Sequence, residues 1–178
     1  MAVIQIPTYE HIDQIRQLNS KYLITHLTDA QKQNGFIRIE YDRDDLQQII
    51  ENKEIVIATN GEQVIGYYLI GRKSGKAALN YQRNKAKSLF DTNEIPFAKI
   101  GYGCQVCIDE AYRNNGLFAQ MLNTLTNQVK DKYTHLLCSV SDDNIISMKT
   151  HITNDWQLID TFEATKFFIY KTHKPTIV

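Results

Sequence analysis

The sequence predicts an α/β fold in which a mixed β-sheet carries helices on both faces. In the second half of the chain, apolar β-branched runs alternate with helical patterns, which implies parallel pairing there. In the first half, apolar runs at 55–59 and 64–70 flank Asn60-Gly61, the strongest short turn signal in the chain. These runs predict an antiparallel hairpin. The 178 residues fit one domain, 1–178, with a substantial core.

The N-terminal part predicts one strand and two helices. Residues 3–6 alternate weakly and predict a strand, after which Thr8 provides an N-cap for a helix. The apolar positions of that helix keep the helical period: Ile12, Ile15, Leu18 and Tyr22. Residues 23–39 predict an irregular helical connection followed by a short extended piece. Asp42 or Asp44 then caps the next helix.

The segment 72–96 follows the hairpin and contains a predicted helix at 77–90. Its basic residues would guide an anionic ligand or shape a substrate lid: Lys76, Arg83, Lys85 and Lys87. The alternative is an insertion helix whose charged face is simply solvated.

Residues 99–108 predict the strand at the centre of the fold, although Gly101 and Gly103 are unusual inside a strand. Such glycines often mark a bulge or the close approach of another backbone or a ligand. A long amphipathic helix begins at Leu117. The remaining predictions are a buried strand at 135–141, a helix at 144–154 capped by Asp142 or Asp143, and strands at 156–162 and 166–171.

The joint between the central strand and the long helix, residues 112–119, is a candidate anion site. The first turn of a helix carries free N–H groups, and both these donors and the helix dipole favour negative charge. Arg113 adds a planar cation, and Gly116 lets a ligand approach the main chain without a Cβ in the way. The joint therefore predicts a pyrophosphate cradle. The alternative is a plain strand–helix connection with one exposed arginine.

Charge and apolar runs limit the partners and the location of the protein. Twenty basic and twenty acidic residues give zero formal charge, which argues against a nucleic-acid or membrane surface built on bulk charge. No apolar stretch approaches the roughly 18 residues that a membrane helix needs. The N-terminus lacks the basic and long apolar regions of a signal peptide. We therefore expect a cytoplasmic protein.

Cys104 and Cys107 form a C-x-x-C spacing, but side chains three apart in a strand point to opposite faces. A metal or redox pair needs the two thiols together, usually at a helix N-terminus. Three cysteines are also an odd, sparse set that suits a reducing compartment. We predict core thiols and no metal site.

The order of elements resembles the GCN5-related N-acetyltransferase (GNAT) superfamily over nearly the whole chain. Residues 108–118 are similar to its acetyl-CoA motif, a strand followed by Arg/Gln-x-x-Gly-x-Gly/Ala and a long helix. Arg113 and Gly116 occupy the first two fixed positions, whereas Phe118 stands where the family has Gly or Ala. We expect Phe118 to turn into the core. The resemblance implies a mixed, mostly antiparallel central sheet with a parallel splayed pair in the middle and helices on both faces.

A second family motif, Asn-x-x-Ser/Ala-x-x-x-Tyr, is matched by Asn144, Ser147 and His151, with Asp155-Trp156 in place of the Gly-Phe that follows it. Spacings of three and four place the first three on one helix face. By resemblance, Asn144 bonds the pantetheine arm, and Ser147 and His151 are catalytic residues near the sulfur.

The resemblance also implies the other cofactor contacts. The main chain of Val106, Cys107 and Ile108 would meet the thioester carbonyl and the pantetheine amides. The pyrophosphate would be held by the following residues: Arg113, Asn114, Asn115, Gly116, Leu117 and Phe118.

His151 replaces the family's tyrosine, which protonates the departing thiolate. An imidazolium would donate a proton, and an oriented neutral imidazole would still donate a hydrogen bond to the sulfur. The alternative is a histidine packed in the helix interface. The central strand carries no carboxylate, so the candidate general bases are Glu40 and Asp109.

The resemblance implies an N-acetyltransferase that moves an acetyl group from acetyl-CoA to a primary amine by direct attack. The acceptor would be a small-molecule or peptide amine, and the sequence leaves a homodimer open. A silent CoA-binding module is the alternative, favoured by the missing tyrosine and strand carboxylate. A nucleotide-binding domain would need a G-x-G-x-x-G, or a Lys-Ser/Thr after the glycine. Four aromatic residues indicate either a partly apolar acceptor pocket or core packing: Tyr22, Phe36, Tyr41 and Tyr81.

Overall fold

A computed structural model describes residues 2–93 and 95–173. Within these residues the strands are β1 (Val3–Gln5), β2 (Ile55–Asn60), β3 (Gln63–Ile70), β4 (Ile100–Tyr102), β5 (Cys104–Ile108), β6 (His135–Ser141), β7 (Gln157–Phe162) and β8 (Thr165–Lys171). The α-helices are α1 (Ile12–Lys21), α2 (Asp29–Lys32), α3 (Arg43–Glu51), α4 (Asn80–Asn93), α5 (Leu117–Val129) and α6 (Ile145–Thr153).

The strands form two sheets, in the orders β1-β2-β3-β5 and β4-β6-β8-β7. The β4–β6 pair is parallel, and the other neighbouring pairs are antiparallel. The predicted mixed, mostly antiparallel architecture is therefore confirmed, as is the hairpin, in which Asn60 pairs with Gln63. Because β5 and β6 belong to different sheets, a gap opens between them in the middle of the fold.

The prediction of one continuous strand over 99–108 is wrong, because the chain breaks at Gly103. Gly103 has a φ of +82°, and a Cβ there would lie 3.2 Å from two main-chain atoms of Gly71. Both the left-handed backbone and the close approach require glycine. Before the break the chain pairs with β6, and after it with β3. Gly103 is thus the point at which the strand changes sheets.

The free edge of β5 presents alternate main-chain groups to the gap. The N–H of Asp109 donates to the carbonyl of Ile65, and that of Gly71 to the carbonyl of Gly103. Since bonds along an antiparallel ladder alternate, these two fix which residues of β5 bond to β3. The N–H and C=O groups of Val106 and Ile108 consequently point away from β3, toward the gap.

Helices cover both faces of the sheets. Along β2, Ile57 packs in a cluster with α1 and α3, whereas Val56 packs in a cluster with α5. Because neighbouring side chains in a strand point to opposite faces, the two clusters lie on opposite faces. A third cluster joins α4 and the turn before it to β4, β6 and β8. None of the helices in the described parts of the chain is long and apolar enough to cross a membrane.

Asp42 and Asn144 cap α3 and α6, and the cysteines lie in the core. Asp42 caps α3, its carboxylate accepting from the N–H of Asp45 at 2.9 Å. The prediction that Asp142 or Asp143 caps α6 is wrong, since Asn144 is the N-cap. Cys104 and Cys107 lie in the two clusters on opposite faces, as predicted. All three cysteines are free and buried.

Candidate functional site

A cavity of about 310 Å³ opens where the start of α5, the end of β5, α6 and residues 34–37 meet. It gathers all but one of the residues predicted to bind the cofactor or to act at its sulfur: Val106, Cys107, Ile108, Arg113, Asn114, Gly116, Leu117, Phe118, Asn144, Ser147 and His151. The exception is Asn115, which lines a neighbouring cavity with Asn60 and Gln120. Two sequence motifs that are far apart in the chain therefore contribute to one site.

The start of α5 has the geometry of an anion cradle. Gly116 is the N-cap with a φ of +72°. A Cβ at this position would have one neighbour within 4 Å, the side-chain Nε2 of Gln120 at 3.6 Å. Within the described residues, no group accepts a hydrogen bond from the main-chain N–H groups of 114–118. Phe118 turns into the core as expected, 7% exposed, with its ring 5.4 Å from that of Tyr68. Donors are therefore grouped at a point where a ligand can approach the main chain.

The side chain of Arg113 does not extend freely into this cradle. Its Nε donates to the carbonyl of Ile108 at 2.9 Å, and a terminal nitrogen donates to the carbonyl of Asn34. The guanidinium also lies over the ring of Tyr22, 4.9 Å from its centroid. Arg113 thus joins the end of β5 to the segment 34–37 and contributes its charge to the cavity wall from that fixed position.

Asn144 is similarly engaged by the chain itself. Its side-chain oxygen accepts from the N–H of Ser147 at 3.2 Å, and its amide nitrogen donates to the carbonyl of Phe36 at 2.8 Å. Asn144 is 6% exposed. It therefore begins α6 and holds the segment 34–37 at the cavity through Phe36, as Arg113 does through Asn34.

His151 is packed among aromatic rings. It is 4% exposed, and its ring centroid lies 5.3 Å from Phe118, 5.2 Å from Trp156 and 5.8 Å from Phe168. Burial lowers the pKa of His151 to about 4. The imidazole is therefore neutral at physiological pH, and its Nδ1 lies 2.7 Å from the Ser147 carbonyl, which can only accept. This hydrogen bond places the proton on Nδ1. Burial and the hydrogen bond together favour a histidine packed in the helix interface over one that protonates the departing thiolate.

We expect acid to destabilise the protein through His151. The folded pKa near 4 lies below the ordinary 6.5, so the unfolded chain binds more protons between these values and stability falls as pH falls through this window. The loss reaches about 2 kcal/mol near pH 5. Urea unfolding at neutral pH and at about pH 5 should show this loss in the wild type and a smaller loss in His151→Phe. The pKa of His135 is lowered too, mainly by burial and to a smaller extent by the charge of Lys171. The variant therefore retains part of the pH dependence of stability. Equal losses in both proteins would contradict the assignment.

Neither candidate base reaches the cavity. Burial favours a raised pKa for Asp109, but hydrogen bonds from Lys21 and from the N–H of Ala111 outweigh it and the pKa is lowered. Lys21 Nζ lies 2.7 Å from the Asp109 carboxylate. Glu40 is exposed and does not line the cavity. Both carboxylates therefore lie outside the site that the other predicted residues form.

Residues 34–37 form one wall of the cavity, and none of them is among the predicted cofactor-binding or catalytic residues. Phe36 was among the aromatic candidates, and both it and Tyr22 line the cavity. Tyr41 is instead buried in the core at 1% exposure, and Tyr81 is 57% exposed. The sequence signal for this wall was weak, because Gly35 and Phe36 belong to no periodic element.

Comparisons with known proteins agree with this architecture. The family model described as the acetyltransferase (GNAT) family matches residues 13–151. No protein with a curated description matches the sequence. Similar folds occur in yncA from Salmonella typhimurium with its cofactor acetyl-CoA, at 11% identity and a TM-score of 0.64, covering 98% of this chain and 96% of that one.

Two further solved structures are similar over almost their full length. The N-acetyltransferase from Staphylococcus aureus Mu50 is 17% identical, with a TM-score of 0.64 and coverage of 97% of this chain and 99% of that one. The PaiA N-acetyltransferase from Thermoplasma acidophilum in complex with coenzyme A is 12% identical, with a TM-score of 0.64 and coverage of 96% and 99%. At these identities the likeness establishes the fold.

Proposed function

Because the chain belongs to the acetyltransferase (GNAT) family, we propose that it transfers an acetyl group from acetyl-CoA to a primary amine. The observation that carries the proposal is the single cavity that joins the N–H groups at the start of α5 to the free edge of β5. A diphosphate ester with an extended amide-containing arm is complementary to such a site. The donors of a helix start suit the diphosphate, and an unpaired strand edge suits the amides.

The residues present fit the cofactor at each part of this site. The N–H groups of 114–118 would hold the pyrophosphate, with Gly116 leaving the approach open. The N–H and C=O groups of Val106 and the N–H of Ile108 would bond the pantetheine arm, since they face the gap, whereas the Ile108 carbonyl already accepts from Arg113. Acetyl-CoA supplies the acetyl thioester. Its acyl group would lie beside Val106, at the end of the cavity that is nearer to the break at Gly103.

In this proposal β5 supplies the electrostatic part of catalysis. The main-chain N–H of Val106 already points into the gap. It therefore needs no reorganisation to stabilise the negative charge that forms on the thioester oxygen during direct attack by the amine. The Ser147 hydroxyl lines the cavity and is suited to donate a hydrogen bond to the sulfur, while His151 orients that turn of α6 through the Ser147 carbonyl. Removal of the amine proton is assigned to water, because Asp109 and Glu40 lie outside the cavity.

Calorimetry with acetyl-CoA and a thiol-release assay over a panel of amines would test the proposal. We expect micromolar to millimolar binding of acetyl-CoA and release of CoA only with primary amines. Absence of binding to the wild type would refute the proposed function. The acceptor is identified in the same experiment, as the amine whose addition releases thiol fastest.

A silent CoA-binding module is the second candidate function. It is favoured by one observation, namely that neither candidate carboxylate reaches the cavity. This module would bind acetyl-CoA in the calorimeter but release no thiol with any amine, including peptides with free N-termini. The thiol-release assay therefore distinguishes the two functions, whereas calorimetric binding of acetyl-CoA does not.

A further inference from the structure

The side chain of Gln82 lies at the closed end of the gap between β5 and β6. Its Oε1 accepts from the N–H of Gly103 at 2.8 Å, and its Nε2 donates to the Ser139 hydroxyl at 2.9 Å. Gln82 is 4% exposed, so both bonds lie inside the protein. The carboxamide thus connects the point where the central strand changes sheets to a residue of β6.

This bridge stands where a direct bond between strands has been lost. The pairing of β4 with β6 ends at Tyr102 and Leu137, and the following residue, Gly103, turns its N–H to Gln82 instead. A carboxamide carries a donor and an acceptor on one planar group, so it can satisfy both strands at once. Gln82 consequently holds the two strands together just before they diverge.

The helix that carries Gln82 is anchored by apolar packing and by an ion pair. Leu79, Ala86 and Leu89 pack with Ile100 and Leu137 in one cluster. Lys85 Nζ lies 2.5 Å from the carboxylate of Asp160. The segment 72–96 is therefore more than a solvated insertion, because its buried face carries a polar side chain to the centre of the fold.

We propose that Gln82 is a positioning residue that sets the width of the gap at the end where the acetyl group of the bound cofactor lies. This inference rests on the proposed function for the direction of the cofactor along β5. The cradle follows Ile108, so the arm runs from there past Val106 toward Gly103. Displacements of about 1 Å are enough to impair reacting groups. A change at Gln82 should therefore affect the acetyl end and leave the pyrophosphate end unchanged.

The test compares CoA and acetyl-CoA as probes in calorimetry. Gln82→Met keeps the length of the side chain and removes both bonds. We expect it to weaken acetyl-CoA binding by about tenfold and CoA binding by less than about twofold. Gln82→Glu should restore near wild-type binding of both probes, because a carboxyl oxygen accepts from Gly103 and the Ser139 hydroxyl can donate to the other.

Gln14 offers a matched control, since its carboxamide also joins two elements. It donates to the carbonyl of Glu62 at 3.1 Å and accepts from the N–H of Val64 at 2.7 Å, outside the cavity. Gln14→Met should leave the ratio of the two affinities unchanged. Equal weakening of CoA and acetyl-CoA by Gln82→Met, or the same change of ratio in Gln14→Met, would overturn the assignment.

Hydrogen exchange of the Gly103 amide separates this inference from the proposed function. Without any ligand, the amide should exchange at least about tenfold faster in Gln82→Met than in the wild type, while amides of α5 keep their protection. If the wild type bound neither probe, the proposed function would fail, and unchanged exchange at Gly103 would independently refute the bridge.

Discussion

Gly116→Asp is expected to weaken acetyl-CoA binding by two to three orders of magnitude, whereas Gly116→Asn should weaken it by less than about tenfold. The two side chains have nearly the same size, and both Asp and Asn tolerate a left-handed backbone, here a φ of +72°. Both are also good N-caps. The pair therefore differs in one negative charge placed beside the proposed pyrophosphate site. At about 4 Å and an effective dielectric constant near 20, one such repulsion amounts to about 4 kcal/mol.

The measurement is calorimetric binding of acetyl-CoA to both variants, with thermal unfolding as a control for folding. Gly116→Val would be a poor probe of the cradle, because a β-branched residue is strained at positive φ and the variant could lose binding through misfolding. Raising the salt concentration should reduce the difference between Asp and Asn, since the site is open to solvent. Equal affinities of the Asp and Asn variants would place the cofactor phosphates elsewhere.

Gly71→Ala is expected to destabilise the fold by about 3 kcal/mol, because the new methyl group overpacks the core. A Cβ on Gly71 would lie 2.1 Å from the hydroxyl oxygen of Tyr41 and 3.2 Å from the carbonyl oxygen of Gly103. Tyr41 is 1% exposed, so its ring has little room to retreat. Thermal unfolding should show a Tm lower by about 6–12 °C.

The double variant with Tyr41→Phe tests the cause of this loss. Within the described residues, the Tyr41 hydroxyl has no hydrogen-bond partner, so Tyr41→Phe alone should be neutral or stabilising by about 1 kcal/mol. Combined with Gly71→Ala, it removes the nearest atom and should recover at least about 1 kcal/mol beyond additivity. Recovery stays incomplete, because the ring carbon that carried the hydroxyl is still 3.0 Å away. Strict additivity would show that the methyl group clashes with something else.

The elements of the fold were predictable where periodicity and turn chemistry agree. The hairpin around Asn60, the helix after Thr8 and the joint before Leu117 each follow from local patterns. The joint and the face that carries Asn144 were also sufficient to predict most of the cavity. In these places, local residue preference and tertiary structure favour the same conformation.

The remaining features depend on partners that are distant in the chain. Gly103 was recognisable as unusual, but its role as the point of strand exchange depends on β3 and β6. Arg113 lines the cavity, yet the direction of its side chain is set by the carbonyls of Asn34 and Ile108. Asn144, and not Asp142 or Asp143, caps α6. In this position its side-chain amide also donates to the carbonyl of Phe36. None of these long-range contacts has a local sequence signature.

The buried thiols have a practical consequence for assays of this protein. Burial raises the pKa of Cys107 to about 12 and also raises the pKa values of Cys104 and Cys138. Since disulfide exchange proceeds through the thiolate, the native chain contributes almost no background when a thiol reagent is used to follow CoA. For the same reason, Cys107 should not attack the disulfide that released CoA forms with such a reagent, although Cys107 lines the cavity in which the CoA thiol would be formed.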